Sequence, residues 1–182
     1  MKKTTILIGG LVLAALVAVV AVGIALTRDT AKPAHTDSHT HIADPRVFDP
    51  TIAATGTMTA LLTWEPAQQS GPWESAAAVE DRLTGRLTEY AASQGADEPL
   101  PGDWQTWAEG GDRIQGIAAV SPDTREIPAD ATTATVTVDV EQRVWHPSGD
   151  MTPLTKGVVD VTVELIDGEW KTSNYSYLSI DY

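Results

Sequence analysis

The residues able to do chemistry in this chain are few and scattered. His35, Asp37, His39 and His41 recur at two-residue steps, a spacing that in extended chain gathers imidazole and carboxylate groups as a divalent cation requires. They sit in TRDTAKPAHTDSHTHIADPR, residues 27–46, a polar segment without periodicity. Collecting four ligands there would cost the ordering entropy of a loose chain, so no metal site is expected. His146 precedes Pro147 in a predicted hairpin loop and reads as a solvent-facing residue rather than a general base. Asp139 and Asp160 are candidate acid–base carboxylates, yet both fall on the polar side of their strands, opposite inward valines. No serine occupies a Gly-x-Ser-x-Gly elbow and no glycine-rich phosphate loop is present; Gly110-Gly111 reads as a turn. Cysteine is absent, which removes thiol nucleophiles, disulfides and thiolate metal sites. The expectation is therefore no enzyme, no cofactor and no catalytic, cofactor-binding or metal residue.

Residues 6–26 form an uncharged apolar run between Lys2-Lys3 and Arg28-Asp29. As a helix these 21 residues rise about 31 Å, the thickness of a bilayer core. The lysines favour a cytoplasmic N-terminus. The expected layout is a cytoplasmic stub (1–5), a transmembrane helix (6–26), a flexible linker (27–48) and an extracytoplasmic domain (49–182), giving a single-pass protein of the cell membrane. A cleaved signal peptide is the rival, with Ala21/Gly23 or Gly23/Ala25 as cleavage sites, but signal cores span only about 7–15 residues. The bilayer is thus a partner through residues 6–26. The part beyond the run holds 10 basic and 25 acidic residues, which argues against nucleic acid as a partner.

The elements beyond the linker follow from pattern. Asp49-Pro50 reads as an N-cap and first helical residue, opening a helix that runs to Trp64. Ala76, Val79, Leu83, Leu87, Tyr90 and Ala91 recur at helical steps after Ser70-Gly71-Pro72, predicting one amphipathic helix that stops at Gly95. A short helical turn carries Trp104 and Trp107 on one face. Strands follow at 112–121, 134–145 and on either side of Asp167-Gly168, the strongest hairpin signal in the chain. Alternating valines at 136, 138 and 140, and at 159, 161 and 163, give each strand one buried face. Helices before strands predict an α+β domain, helices against one face of a curved antiparallel sheet.

The segments Leu62-Thr63-Trp64-Glu65-Pro66, Gly71-Pro72-Trp73 and Trp104-Gln105-Thr106-Trp107, with the closing Asp167-Gly168-Glu169-Trp170 hairpin, resemble small membrane-anchored proteins of Gram-positive conjugative elements. The resemblance implies a cystatin/nuclear-transport-factor-two-like cone over 49–182. That cone is similar to the periplasmic domain of the inner-membrane assembly subunit of type IV secretion systems. It also occurs in proteins associated with mammalian-cell-entry lipid transporters.

With six tryptophans in 182 residues, aromatic side chains are the remaining candidates for function. Trp104 and Trp107 serve either as core or as an aromatic anchor. Tyr175 and Tyr177 share a strand face by period two, so an exposed row there would be a docking surface. These four residues form the candidate interaction surface. The implied function is a non-enzymatic assembly subunit of a membrane-spanning complex, of the conjugative, type IV-like kind, whose partners are other subunits or further copies of itself. The alternatives are a lipid-transport accessory with an apolar ligand in the cone, or a small isomerase- or dehydratase-like enzyme.

Overall fold

The computed structural model describes residues 48–93, 95 and 99–182. The stub, the transmembrane helix, all but the last residue of the linker and the histidine cluster lie outside them. Among the described residues, no helix is long and apolar enough to cross a membrane.

The chain runs α1 (Pro50–Leu61), α2 (Trp73–Ala77), a 3-10 turn (Glu80–Arg82), α3 (Gly85–Ala92) and α4 (Trp104–Gly110). Four strands follow: β1 (Arg113–Val120), β2 (Thr133–Trp145), β3 (Met151–Ile166) and β4 (Glu169–Asp181). The strands form one antiparallel sheet in the order β1-β2-β3-β4. This is the α+β architecture expected from the sequence.

Asp49 caps α1 as read: its Oδ1 accepts from the Thr51 amide at 2.8 Å and from the Thr51 hydroxyl at 2.7 Å. The hydroxyl bond, reinforced by the Thr51 and Ile52 amides, holds the Asp49 carboxyl below the usual carboxylate range. The helix ends at Leu61, three residues earlier than expected. Trp64 leaves it to exchange two 2.9 Å backbone hydrogen bonds with Ile114.

The amphipathic segment is not one helix. Leu83 extends and bridges Thr172 in parallel, the Thr84 amide donates to the Thr172 carbonyl at 2.9 Å, and Gly85 adopts φ +53 against Ser173. A side chain at that φ would be strained, so glycine is what permits the break. Five of the six predicted inward positions, Ala76, Val79, Leu83, Leu87 and Ala91, are buried, and Tyr90 is half-buried. A β-edge contact overrides helical propensity while leaving the burial pattern intact.

The core lies on one face of the sheet. Val136, Val138, Val159, Val161 and Val163 are almost completely buried under Met58 and Ala54 of α1 and under α2 and α3. Each such side chain contributes about 1.5–3 kcal/mol when removed from water. The other face carries Thr135, Thr137, Asp139, Thr162 and Glu164. Asp167 and Gly168 take φ of 53 and 86, closing the β3–β4 hairpin in a two-residue turn.

Three register shifts bend the sheet. Gln142 pairs with Thr155 but Arg143 with Pro153, leaving Leu154 as an extra residue. Thr162 and Val163 pair with Asn174 and Thr172, leaving Ser173; Val158 and Val159 pair with Ser179 and Tyr177, leaving Leu178. Gly116 lets α1 approach β1: a Cβ there would meet Leu62 Cβ at 2.6 Å and the Thr59 carbonyl at 2.8 Å. Gly116→Ala is therefore expected to lower stability by about 1–3 kcal/mol in denaturant unfolding. An unchanged midpoint would show that α1 and β1 are not held at this spacing.

Candidate functional site

The helices do not cover the whole concave face. Between the C-terminal end of α1, α4 and the outer half of β4 lies an open groove of ≈ 660 Å³. Its walls include Leu61, Leu62, Trp64, Tyr90, Trp107, Leu154, Tyr175, Tyr177, Ile180 and Tyr182. All four tyrosines of the chain meet there.

The bulges of β4 bring this about. In an unbroken strand Tyr175 and Tyr177 would face opposite Ile180 and Tyr182. The extra residue Leu178 reverses the alternation between them. Tyr175 and Tyr177 lie beside the buried Val161 and Val159, and Ile180 lies beside Gly157 on the same face. The rings of Tyr175 and Tyr177 meet edge to face, with centroids 5.9 Å apart at 85°, a favoured arrangement of aromatic quadrupoles. The outer rings remain accessible: Tyr177 is 39% and Tyr182 95% exposed.

The groove contains little polar chemistry. Gln142 is buried beneath it, and both ends of its amide are satisfied. Nε2 donates to the Leu62 carbonyl at 2.9 Å, and Oε1 accepts from the Thr155 hydroxyl at 3.1 Å. The first bond supplies a partner to a carbonyl left over at the end of α1. Among the described residues Asp103 is the only charged one in the lining, and no lysine or arginine lines it.

The aromatic residues singled out in the sequence divide. Trp104 and Trp107 are only 4% and 8% exposed and form a second small core with Ile114 and Val144. Both indoles pack into this core, and Trp107 also forms part of the groove wall. Large indoles fill the gap that the short α4 leaves over the β2–β3 hairpin. Tyr175 and Tyr177 share one face of β4, beside Val161 and Val159, and line the groove.

The catalytic candidates stay apart from the groove. Asp160 accepts from the Thr137 hydroxyl at 2.8 Å, and neither it nor Asp139 lines the groove. Among the described residues, no group of three or more His, Asp or Glu side chains is placed to hold a metal ion.

His146 is a correction. It is not a free loop residue: its Nδ1 lies 2.9 Å from Asp112 Oδ1 and its Nε2 2.9 Å from the Thr152 hydroxyl. The β1–β2 register would have revealed this, because Arg113 pairs with Trp145 and the next step outward brings Asp112 to His146. An Asp–His–hydroxyl order suggests acyl transfer, which also needs donors for an oxyanion. The N–H groups of His146, Gly149 and Asp150 are already taken by Asp150 O, His146 O and Ser148 Oγ. No free pair of donors remains in the loop. The three residues tie the β2–β3 hairpin to the end of α4.

No protein-family profile and no curated protein sequence matches this chain. Solved structures do. CagV, a VirB8 homologue of the type IV secretion system from Helicobacter pylori strain 26695, aligns with TM-score 0.43 and 7% identity, over 70% of this chain and 94% of that one. The intermembrane space region of the chloroplast protein ARC6 aligns with TM-score 0.36 and 14% identity, over 70% of this chain and 93% of that one.

Burial raises the Tyr177 hydroxyl to about 12, with the neighbouring Tyr175 and Tyr182 acting in the same direction. Tyr177 thus stays protonated and able to donate throughout the physiological range. The raised value favours the neutral phenol of the folded state, so stability should fall as pH rises from about 10 to about 12. In a spectroscopic titration one tyrosine should ionise last, and Tyr177→Phe should remove that step; four coincident ionisations near 10 would contradict the partial desolvation of this hydroxyl.

Proposed function

We propose that the protein is a non-enzymatic docking subunit of a membrane-spanning assembly, of the type IV-like conjugative kind. Residues 6–26 hold it in the cell membrane, with the N-terminus cytoplasmic and the α+β domain outside. The observation that carries this reading is the gathering of all four tyrosines in one accessible, nearly uncharged groove. Tyrosine and tryptophan are residues that interfaces favour, because they bury large area while keeping a polar tip.

The main core behind the groove is filled by valine, leucine and methionine, so binding energy has to come from the rim and the aromatic floor. The occupant that fits is an apolar, uncharged or basic segment of another subunit. Lysine and arginine are absent from the lining, and the whole chain carries a net charge of −13. Anchoring in the membrane raises the local concentration of such a segment.

The second reading, an apolar small ligand for a lipid-transport accessory, is supported by the groove's volume, which falls in the range of small-molecule sites. A ligand with an anionic headgroup would find no counter-charge there. An isomerase- or dehydratase-like reaction would find Asp103 as the carboxylate among the described lining residues, beside the tyrosine hydroxyls.

The test uses the full chain in its native membranes. Tyr175→Ala/Tyr177→Ala should weaken co-purification with other subunits by about 30-fold, the effect of losing about 2 kcal/mol at an interface hot spot. Asp139→Ala on the opposite face should leave it unchanged. Equal association of the two variants would overturn docking through the groove. A bound lipid that is lost only from the tyrosine variant would favour the second reading.

A further inference from the structure

The two edges of the sheet are finished differently. At β1, Trp64 pairs by backbone with Ile114. At β4, the first half is met by the Leu83–Thr172 bridge and by Gly85 against Ser173. The second half has no such cover among the described residues. Residues 176–181 are exposed, with Leu178 60% accessible, and residues 172–180 include no charge and no proline. A terminal strand carries a row of outward N–H and C=O groups, which natural edges blunt with lysine, proline or a bulge. Of these devices only the bulges at Ser173 and Leu178 are present between residues 172 and 180.

The chemistry of such an edge calls for another extended strand, and the sequence of β4 itself meets the requirement. In an antiparallel pair, residues directly opposite one another share a face. The bulge at Leu178 lets this segment satisfy that rule against its own copy. With the two-fold axis between residues 177 and 178, Tyr175 of one copy faces Ile180 of the other, both on the concave side. Ser176 faces Ser179, both on the outer side. Asn174 faces Asp181, an amide donor opposite a carboxylate, also on the outer side. The register with β3 fixes these faces: Asn174 lies beside Thr162, Ser179 beside Val158 and Asp181 beside Lys156, whereas Tyr175 and Ile180 lie beside Val161 and Gly157. Without the extra residue, every one of these pairs would set an inward side chain against an outward one.

We infer that the outer half of β4 is a self-association edge, at which two copies of this chain pair antiparallel and join their sheets into one. The proposal goes beyond docking through the groove and does not depend on it. A two-fold axis perpendicular to the sheet keeps both concave faces on the same side, so the two tyrosine grooves lie side by side. Pairing along a strip whose one charge per copy, Asp181, faces an amide also suits monomers that each carry a net charge of −13.

The absence of cysteine makes the test direct, because introduced thiols have no native cysteine to compete with them. Opposed Cα atoms in an antiparallel pair lie about 4.5–5.5 Å apart, within the span of a disulfide. The same residue in the two copies, three positions off register, lies about 10 Å away. Full-length Ser176→Cys/Ser179→Cys, oxidised in membranes, should form a covalent dimer, and a mixture of the two single variants should form a mixed dimer. Either single variant alone should remain monomeric. Adding Leu178→Lys, which sets two like charges near the axis, should cut the dimer yield at least tenfold. A double variant that stays monomeric, single variants that crosslink as readily, or a yield untouched by the lysine would each overturn the pairing.

Discussion

The structure depends on a mismatch between one-sided burial and the length of what covers it. The sheet must hide a valine-rich face, and β3 alone, at 16 residues, extends about 50 Å. The principal covering helix, α1, has 12 residues and spans about 18 Å. Helices α2 and α3 extend the cover over the inner part of the sheet, and the short α4 seals the hairpin end with two tryptophans. The space between the two covers is left open, and the groove lies there. It is the unroofed remainder of the core face.

The lining of that space is set by the bulges. Each adds a residue that changes which side chains point inward, and each falls where the sheet passes from covered to uncovered. Leu154 becomes an apolar wall between the two cores. Ser173 ends the stretch of β4 that the Leu83–Gly85 segment covers, and Leu178 places Ile180 and Tyr182 beside Tyr175 and Tyr177. Gln142, satisfied by a helix carbonyl and a threonine, closes the floor without leaving a buried donor unpaired. The site is aromatic and nearly uncharged, which suits binding by area and shape rather than proton transfer. Among the described residues the one relay of chemical type, Asp112–His146–Thr152, braces a loop.

Much of this was legible in the sequence because it obeys short periods. Alternating valines placed β2 and β3, Asp49-Pro50 placed the start of α1, and Asp167-Gly168 placed the last turn. Helical spacing from Ala76 to Ala91 identified the correct inward residues but not the break between them, since a docked edge strand buries Leu83 equally well. The bulges were not legible. Ser173 and Leu178 are ordinary strand residues, and only Pro153, which cannot sit in a regular central strand, hinted at the shift beside it. The groove was therefore hidden, because it arises from three one-residue insertions in register. The His146 contacts were hidden for a related reason, as they need the β1–β2 register rather than local spacing.

The proposed working surface is the uncovered concave face, not the outer face of the sheet. Site-directed photocrosslinking in intact membranes tests it most directly, with a photoreactive phenylalanine placed singly at Tyr90, Tyr177 and Tyr182 in the groove and at Thr137 and Thr162 on the outer face. Discrete adducts to one identified membrane subunit from the three groove positions, lost when Tyr175 is replaced by alanine, are the predicted result. Adducts from the outer positions with none from the groove would contradict it.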